Sequence, residues 1–125
     1  DNAHTNRINT LALINKTHFA SGSNGFLVKI WSINGNLLQD RDFHNFAIQS
    51  IEALHDGRLL SGDSNGFVKI HSNTLSSTTL FQDTSVESLV QLNIHQVVMG
   101  FGDGCINIYN LTDNTTNWQK HGTKI

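Results

Sequence analysis

Short apolar segments separated by polar breaks recur along the whole chain. Three stretches of six or seven residues are apolar or alternate between apolar and polar, at 8–13, 48–54 and 86–92. This pattern is typical of strands buried on at least one face. The predicted second strands are 18–22, 58–62 and 96–100, the third are 27–32, 67–72 and 105–110, and the fourth are 37–43, 78–82 and 117–121. No segment long enough to form a helix has hydrophobic positions at the helical period.

Turn signals separate the predicted second and third strands of each group. Asn-Gly occupies 24–25 and 65–66, and Asp-Gly occupies 103–104. These dipeptides accept the positive backbone φ of tight hairpin turns. The sequence therefore predicts an all-β chain of three units, each with four antiparallel strands.

An internal repeat divides the chain into the same three units. Ile30, Ile70 and Ile108 occupy equivalent positions, 40 and 38 residues apart. His4 and His44 each lie 27 residues before the last residue of their copy, and the third copy lacks this histidine. The clearest copies are 21–31, 61–71 and 99–109. A period of about 40 residues indicates a repeat architecture.

The repeats resemble those of the WD40 family. That family's pattern has a His before the first strand, a Ser-Gly-Ser at the end of the second, and an apolar-Lys-Ile-Trp third strand. The first copy shows His4, Ser21 and the run 27–31. The similarity covers approximate repeats at 4–43, 44–82 and 83–121. The resemblance implies one β-propeller blade per repeat, so residues 1–125 are expected to form one partial β-propeller domain.

The resemblance also implies structural residues. In the family a His, a Ser or Thr, an Asp and a Trp form a buried hydrogen-bond chain, which is favourable only when every member is satisfied. The matching positions are His4, Ser21 and Trp31 in the first repeat, His44, Ser61, Asn65 and His71 in the second, and Asp103 and Tyr109 in the third. On this assignment no repeat carries the full set of four.

For function, the resemblance implies a non-catalytic protein–protein interaction scaffold. Partner-facing positions of the family lie on the loop leading into the first strand and on the turn between the second and third strands. Carried onto this chain they are Asn6, Arg7, Asn24, Asn45, Phe46, Ser64, Phe101 and Asp103. Phe46 and Phe101 are the expected anchors, because aromatic residues and Arg dominate binding energy at interfaces.

The number of repeats leaves alternatives open. Closed propellers have about four to eight blades, so three blades would leave two apolar faces uncovered. The chain either associates with copies of itself or is joined by additional blades of a longer chain. We favour the longer chain, because the repeats are in whole-blade register and the sequence begins at Asp1. An oligomeric small-ligand or glycan-binding propeller, or part of an enzyme completed by missing blades, is the alternative function.

Composition restricts partners and chemistry. The chain of 125 residues has a net charge of −2 without clusters of Lys and Arg, which argues against nucleic-acid and membrane partners. Its seven His are nowhere spaced two or four residues apart, so we expect no metal site and no cofactor. No Gly-x-Ser-x-Gly elbow suggests a nucleophile. The single Cys105 excludes an internal disulfide and favours a reducing compartment, so we expect a cytoplasmic protein.

Overall fold

A computed structural model of the protein describes residues 6–41, 44–72, 77–82 and 84–120. Within these ranges the chain forms β-strands and no helix. The strands are β1 (Ile8–Leu13), β2 (His18–Ser23), β3 (Val28–Ser32), β4 (Leu37–Arg41), β5 (Ile48–Ala53), β6 (Leu59–Asp63), β7 (Phe67–His71), β8 (Ser77–Gln82), β9 (Val86–Gln91), β10 (Gln96–Phe101), β11 (Cys105–Asn110) and β12 (Thr116–Lys120).

The strands form three separate four-stranded sheets in chain order, β1–β4, β5–β8 and β9–β12. All neighbouring strands pair antiparallel. The pairing of the first strand with the second shifts register near the start of the first strand in every sheet. The prediction of an all-β chain with three four-stranded antiparallel units is confirmed.

The turn between the second and third strands closes in the same way in all three sheets. Its amide hydrogen bonds are Phe26 N to Ser23 O, Gly66 N to Asp63 O and Gly104 N to Phe101 O. Gly66 and Gly104 have φ values of 92° and 87°, as predicted, but in the first repeat the positive φ of 74° falls on Phe26. The prediction for 24–25 was therefore wrong by one position, because Phe26 stands where the second repeat has Gly66.

The sheets pack side by side in chain order. β5 lies against β1 and β2, and β9 lies against β5 and β6. Near the starts of β1 and β5, Asn9 Nδ2 donates to Ile48 O at 2.9 Å. Near the ends of β5 and β9, Gln91 N donates to Glu52 Oε2 at 2.8 Å. The three first strands therefore run in the same direction, and equivalent loops of the three repeats lie at the same end of the molecule.

Two apolar clusters hold the sheets together. Leu59 and Leu60 are adjacent in β6 and belong to different clusters, because successive side chains of a strand point to opposite faces. The cluster between repeats 1 and 2 contains Ala20, Val28, Ile30, Ile48, Ile51 and Leu59. The cluster between repeats 2 and 3 contains Leu54, Leu60, Val68, Val86, Leu89, Val97, Met99, Phe101, Cys105 and Tyr109.

Two glycines allow the sheets to approach closely. A Cβ on Gly22 would lie 2.6 Å from Ile48 Cγ2, and a Cβ on Gly62 would lie 2.4 Å from Val86 Cγ1. At the equivalent Gly100, the only neighbour of such a Cβ within 4 Å among the described residues is Ser88 Oγ, at 3.0 Å within the same repeat. The first strand of one repeat thus packs directly on the glycine of the preceding repeat.

No described residue covers the outer faces of the first and third repeats. Leu11 of β1 is 66% exposed, whereas Ile51, its equivalent in β5, is 6% exposed and faces repeat 1. Leu92 after β9 is likewise exposed, whereas its equivalent Leu54 is buried in the cluster between repeats 2 and 3. The same apolar positions are therefore buried wherever a neighbouring repeat is present.

Candidate functional site

A buried hydrogen-bond network connects the strands of the second repeat. His44 Nδ1 lies 2.7 Å from Asp63 Oδ2, and His44 Nε2 lies 2.5 Å from Ser61 Oγ. Ser61 Oγ also lies 2.5 Å from His71 Nε2. All four side chains are essentially buried. The network joins the segment before β5 to β6 and β7.

The direction of the hydrogen bonds follows from the charge state of His44. Burial lowers the pKa of His44 below its ordinary value of 6.5, although its hydrogen bond to the Asp63 carboxylate opposes this shift. The imidazole is therefore neutral at pH 7. Its Nδ1–H donates to Asp63, Nε2 accepts from the Ser61 hydroxyl, and the Ser61 oxygen accepts from His71 Nε2–H. Each of these three donors therefore has an acceptor, which favours a buried network.

The carboxylate of this network belongs to Asp63, not to position 65 as the sequence analysis assumed. Asn65 lies in the exposed turn, and its backbone N–H donates to Asp63 Oδ1 at 2.9 Å. The second repeat therefore has the His, Ser and Asp of the set, connected to His71 in the place of the tryptophan. The assignment of the acidic position to Asn65 was wrong, whereas this repeat still lacks the full set of four residue types. Ser61 and Asp63 are two residues apart in one strand, and this spacing places both side chains on one face. This spacing of two residues was the signal in the sequence that could have identified Asp63.

In the second repeat Asp63, His44 and Ser61 are hydrogen-bonded in the same order as the acid, the base and the nucleophile of a hydrolytic triad. Each member is nearly or completely inaccessible to solvent, so no substrate reaches Ser61 Oγ. A nucleophile must come within bonding distance of a reacting carbonyl. In this chain the arrangement acts as a structural link between strands.

The corresponding positions of the other repeats keep less of the network. In the first repeat Trp31 Nε1 donates to Ser21 Oγ at 2.9 Å, as expected, while His4 lies outside the described residues. In the third repeat Met99 and Phe101 stand where the second has Ser61 and Asp63 and belong to the apolar cluster. Tyr109 is also buried there, and its hydroxyl donates to Asn114 Oδ1 at 3.0 Å.

The end of the molecule that carries the turns between second and third strands is called the turn face. In each repeat, the segment before the first strand is hydrogen-bonded to that turn. Asn24 N donates to Arg7 O at 2.9 Å, Ser64 N donates to Ala47 O at 2.8 Å, and Gly102 N donates to Ser85 O at 2.8 Å. The turn face therefore comprises Asn6, Arg7, Asn24, Phe26, Asn45, Phe46, Ser64, Phe67 and the turn around Gly102.

The structure brings most of the expected partner-binding residues to this face, with Phe101 as the exception. Exposed residues among them are Asn6, Arg7, Asn24, Asn45, Phe46 and Ser64. Phe101 is 5% exposed and packs on Trp118 with ring centroids 5.6 Å apart. Its assignment as a docking anchor was wrong, because it ends β10 on the face that packs on repeat 2. Asp103 is half-buried, and its carboxylate accepts from Cys105 N at 3.0 Å.

An aromatic pair marks the second repeat's part of the turn face. Phe46 is 37% exposed and stacks on Phe67, with ring centroids 6.3 Å apart and an interplanar angle of 12°. Both rings border a small cavity of about 90 Å³ that Lys69 also lines. Phe26 is a second exposed aromatic residue on this face. Sequence analysis missed Phe26 and Phe67. Phe67 directly follows the turn glycine Gly66, and Phe26 stands where the second repeat has that glycine.

The described part of the chain gives no sign of metal binding or of a membrane-spanning helix. No group of three or more His, Cys, Asp or Glu side chains in it could hold a metal ion. No helix in the same residues is long and apolar enough to cross a membrane.

Comparisons with known proteins identify the architecture. No protein-family model matches the chain, and no curated protein matches it either. Solved structures do match over nearly its whole length. The structure of U3-55K is 19% identical in sequence and has a TM-score of 0.85. The match covers 96% of this chain and 38% of that chain. The RRP9 WD40 repeats are 19% identical with a TM-score of 0.86 and the same two coverages.

A third similar structure is the computationally designed Ika8 protein, at 24% identity and a TM-score of 0.81, with 97% of this chain and 39% of that chain covered. This chain thus spans well under half the length of each of the three. The three sheets, their order and their packing agree with this likeness. The chain therefore has the fold of WD40 repeats, as three consecutive blades of a β-propeller.

Proposed function

We propose that this protein is an interaction scaffold whose turn face docks other proteins or peptides. The observation that carries the proposal is the exposed Phe46, stacked on the half-buried Phe67 beside a small cavity. A rigid aromatic ring loses little conformational entropy on binding and buries a large area. Loops held by a rigid scaffold are common binding sites.

The conformation of Phe26 supports the same face. A bulky residue with positive φ is uncommon, and such strain costs about 1–3 kcal/mol and persists mainly at functional positions. Phe26 has a φ of 74° and an exposed side chain, although glycine serves at the equivalent position of the other repeats. A strained and exposed aromatic residue is explained if a partner contacts it.

The proposed role is non-catalytic binding. The Asp63–His44–Ser61 order is buried, which supports a structural purpose for these groups. The exposed turn-face residues are mainly amides, hydroxyls and phenylalanines, which favour recognition over acid–base chemistry. Other proteins or peptides are therefore the proposed partners.

Site-specific photo-crosslinking tests the docking surface. A photoreactive phenylalanine analogue is placed at position 46, and at position 94 as the control. Ile94 is also exposed but lies on the loop between β9 and β10, at the opposite end of the molecule. We expect a discrete crosslinked partner from position 46 and none from position 94. Equal labelling from both positions would contradict docking at the turn face.

Affinity measurements with the crosslinked partner give the second test. We expect Phe46→Ala and Arg7→Ala each to weaken binding by about 1–2 kcal/mol, as interface anchors do. The free energy of unfolding should change by less than about 1 kcal/mol, because both side chains are exposed. Unchanged affinity in both variants would place the binding surface elsewhere.

We also propose that further blades of the same protein cover the outer faces of repeats 1 and 3. The burial of equivalent positions supports this proposal. Leu11 and Leu92 are exposed, whereas their equivalents Ile51 and Leu54 are buried. The share of about 38% of the similar structures that this chain spans supports the proposal as well. Two exposed apolar faces would otherwise favour self-association.

An aspartate at position 11 distinguishes a covered face from a free one. In the intact protein, Leu11→Asp should lower the free energy of unfolding by more than about 3 kcal/mol if another blade buries this position. Leu38→Asp, at an exposed position of the outermost strand β4, serves as the control. A loss below about 0.5 kcal/mol for Leu11→Asp would show that its face stays open.

A further inference from the structure

A second cavity lies between repeats 1 and 2, at the end of the molecule opposite the turn face. Its volume is about 320 Å³, and the loops between first and second strands border it. Its apolar walls include Ile30 from repeat 1 and Leu59 from repeat 2. This volume lies at the lower end of the range for small-ligand sites. The cavity is therefore large enough for one small ring system.

The repeat itself explains why space is left here. In the first repeat the cross-strand pair is Phe19 and Trp31, stacked with ring centroids 6.3 Å apart. In the second repeat the paired residues are Leu59 and His71, both smaller, and both line the cavity. His71 is held by its hydrogen bond to Ser61 and cannot turn to fill the space. An aromatic ring is missing at this position relative to the first repeat.

The polar lining offers one defined hydrogen-bond acceptor. Thr17 N donates to Asn15 Oδ1 at 2.8 Å, which identifies that atom as oxygen. The Thr17 hydroxyl also donates to this oxygen, at 2.9 Å. His18 Nδ1 lies 3.1 Å from the same oxygen and 2.7 Å from Thr17 Oγ1, so both of these neighbours are acceptors, which assigns the ring proton to Nδ1. In the neutral ring Nε2 is then an acceptor, and no described residue donates to it.

The lining also restricts the charge of a ligand. Apart from the two histidines, the described residues around the cavity are aliphatic, amide, hydroxyl or glycine, and none of these described residues is Lys, Arg, Asp or Glu. An ionised ligand would lose hydration without gaining a charged partner, which is costly. A neutral ligand with an N–H or O–H group suits this lining.

We propose that the cavity binds a neutral planar aromatic group with one hydrogen-bond donor, an indole or a phenol ring. The ring lies between Ile30 and Leu59, and its N–H or O–H donates to His18 Nε2. The ring is supplied either as a free small molecule or as a Trp or Tyr side chain of a partner. Both sources share the chemistry that the cavity recognises.

Binding of indole to the intact protein, followed by NMR with methyl-labelled Ile and Leu, tests the site. We expect saturable binding with a dissociation constant of about 1 mM or below, with the largest shifts at Ile30 and Leu59. 1-Methylindole, which lacks the donor, should bind about five- to tenfold more weakly. The absence of binding at saturating indole, or shifts elsewhere, would overturn the proposal.

Variants separate the ring site from the hydrogen bond. His18→Ala should weaken indole about five- to tenfold and leave 1-methylindole unchanged; equal weakening of both ligands would refute the role of His18. His71→Trp should fill the cavity and abolish indole binding, since Trp31 shows that Trp can donate to the serine of this network. If His71→Trp does not fold, Leu59→Phe provides the same test by reducing the cavity. Undiminished indole binding in a folded filling variant would also refute the site.

Amide-capped amino acids distinguish the two sources of the ring. N-acetyl-tryptophanamide and N-acetyl-tyrosinamide carry peptide groups on both sides of the side chain. Binding as tight as that of indole or tighter assigns the cavity to a partner's side chain. Binding of indole with exclusion of both capped amino acids assigns it to a free small molecule.

Discussion

Loss of the Asp63 carboxylate is the change that we expect to destabilise the second repeat most. Oδ2 accepts from His44 Nδ1 at 2.7 Å, and Oδ1 accepts from Asn65 N at 2.9 Å and Phe67 N at 3.0 Å. The carboxylate is fully buried. Asp63→Ala therefore leaves three donors without an acceptor, one in the turn between β6 and β7 and one at the first residue of β7.

The magnitude follows from these three donors. The buried Nδ1–H of His44 costs about 1–3 kcal/mol when it is unsatisfied. The part-buried N–H groups of Asn65 and Phe67 cost less, and losses among neighbouring groups are not additive. We expect Asp63→Ala to lower the free energy of unfolding by about 2–4 kcal/mol, because one buried and two part-buried donors lose their acceptor together. A loss of this size is a large part of the stability of a typical domain.

Asp63→Asn is the matched variant, because it keeps the shape and one acceptor oxygen. That oxygen still accepts from Asn65 N and Phe67 N, while the amide NH₂ now faces His44. The neutral His44 ring can then present Nδ1 as an acceptor and donate from Nε2 to Ser61. We expect this reversal to limit the loss to about 1–2 kcal/mol.

Urea denaturation at pH 7.5, followed by tryptophan fluorescence, measures these differences. Ser64→Ala is the control, because Ser64 lies next to Asp63 but is exposed, and it should change stability by less than about 0.5 kcal/mol. A loss below about 1 kcal/mol for Asp63→Ala, or equal losses for the Ala and Asn variants, would refute the hydrogen-bond assignment.

Two further predictions concern protonation and packing. Because burial lowers the pKa of His44 below 6.5, the unfolded chain binds more protons below that pH. The contribution of His44 to stability should therefore be fully present above pH 6.5, and the free energy of unfolding should fall by up to about 1.4 kcal/mol per pH unit below that pH. His44→Gln should flatten this pH dependence, and an unchanged slope would contradict the role of His44. Gly62→Ala should cost about 1–3 kcal/mol by forcing Val86 away, and Gly100→Ala, measured in this chain alone, should cost less than about 1 kcal/mol. Equal losses of stability in the two glycine variants would show that Gly62 is not required for the close packing of repeats.

The sequence alone determined the number, type and order of the strands. The apolar period and the turn dipeptides predicted three four-stranded antiparallel units, and the strands agree with them closely, as with predicted 105–110 and observed Cys105–Asn110. The resemblance to WD40 repeats implied that Ser21 and Trp31 share one network and that Phe46 lies on a partner-facing loop, and the structure shows their hydrogen bond and the exposure of Phe46. These features are local, because they depend on residues within one repeat.

The tertiary structure decided which side chains meet and which stay accessible. Asp63 rather than Asn65 completes the buried network, because the direction of a side chain depends on its strand's face and not on its distance from a motif. Phe101 is buried and Phe46 is exposed, although both were expected as docking anchors, because Phe101 ends β10 on the face that joins the cluster between repeats 2 and 3. The cavity bounded by Leu59 and His71 exists only because two sheets face each other across it, and no single repeat encodes it.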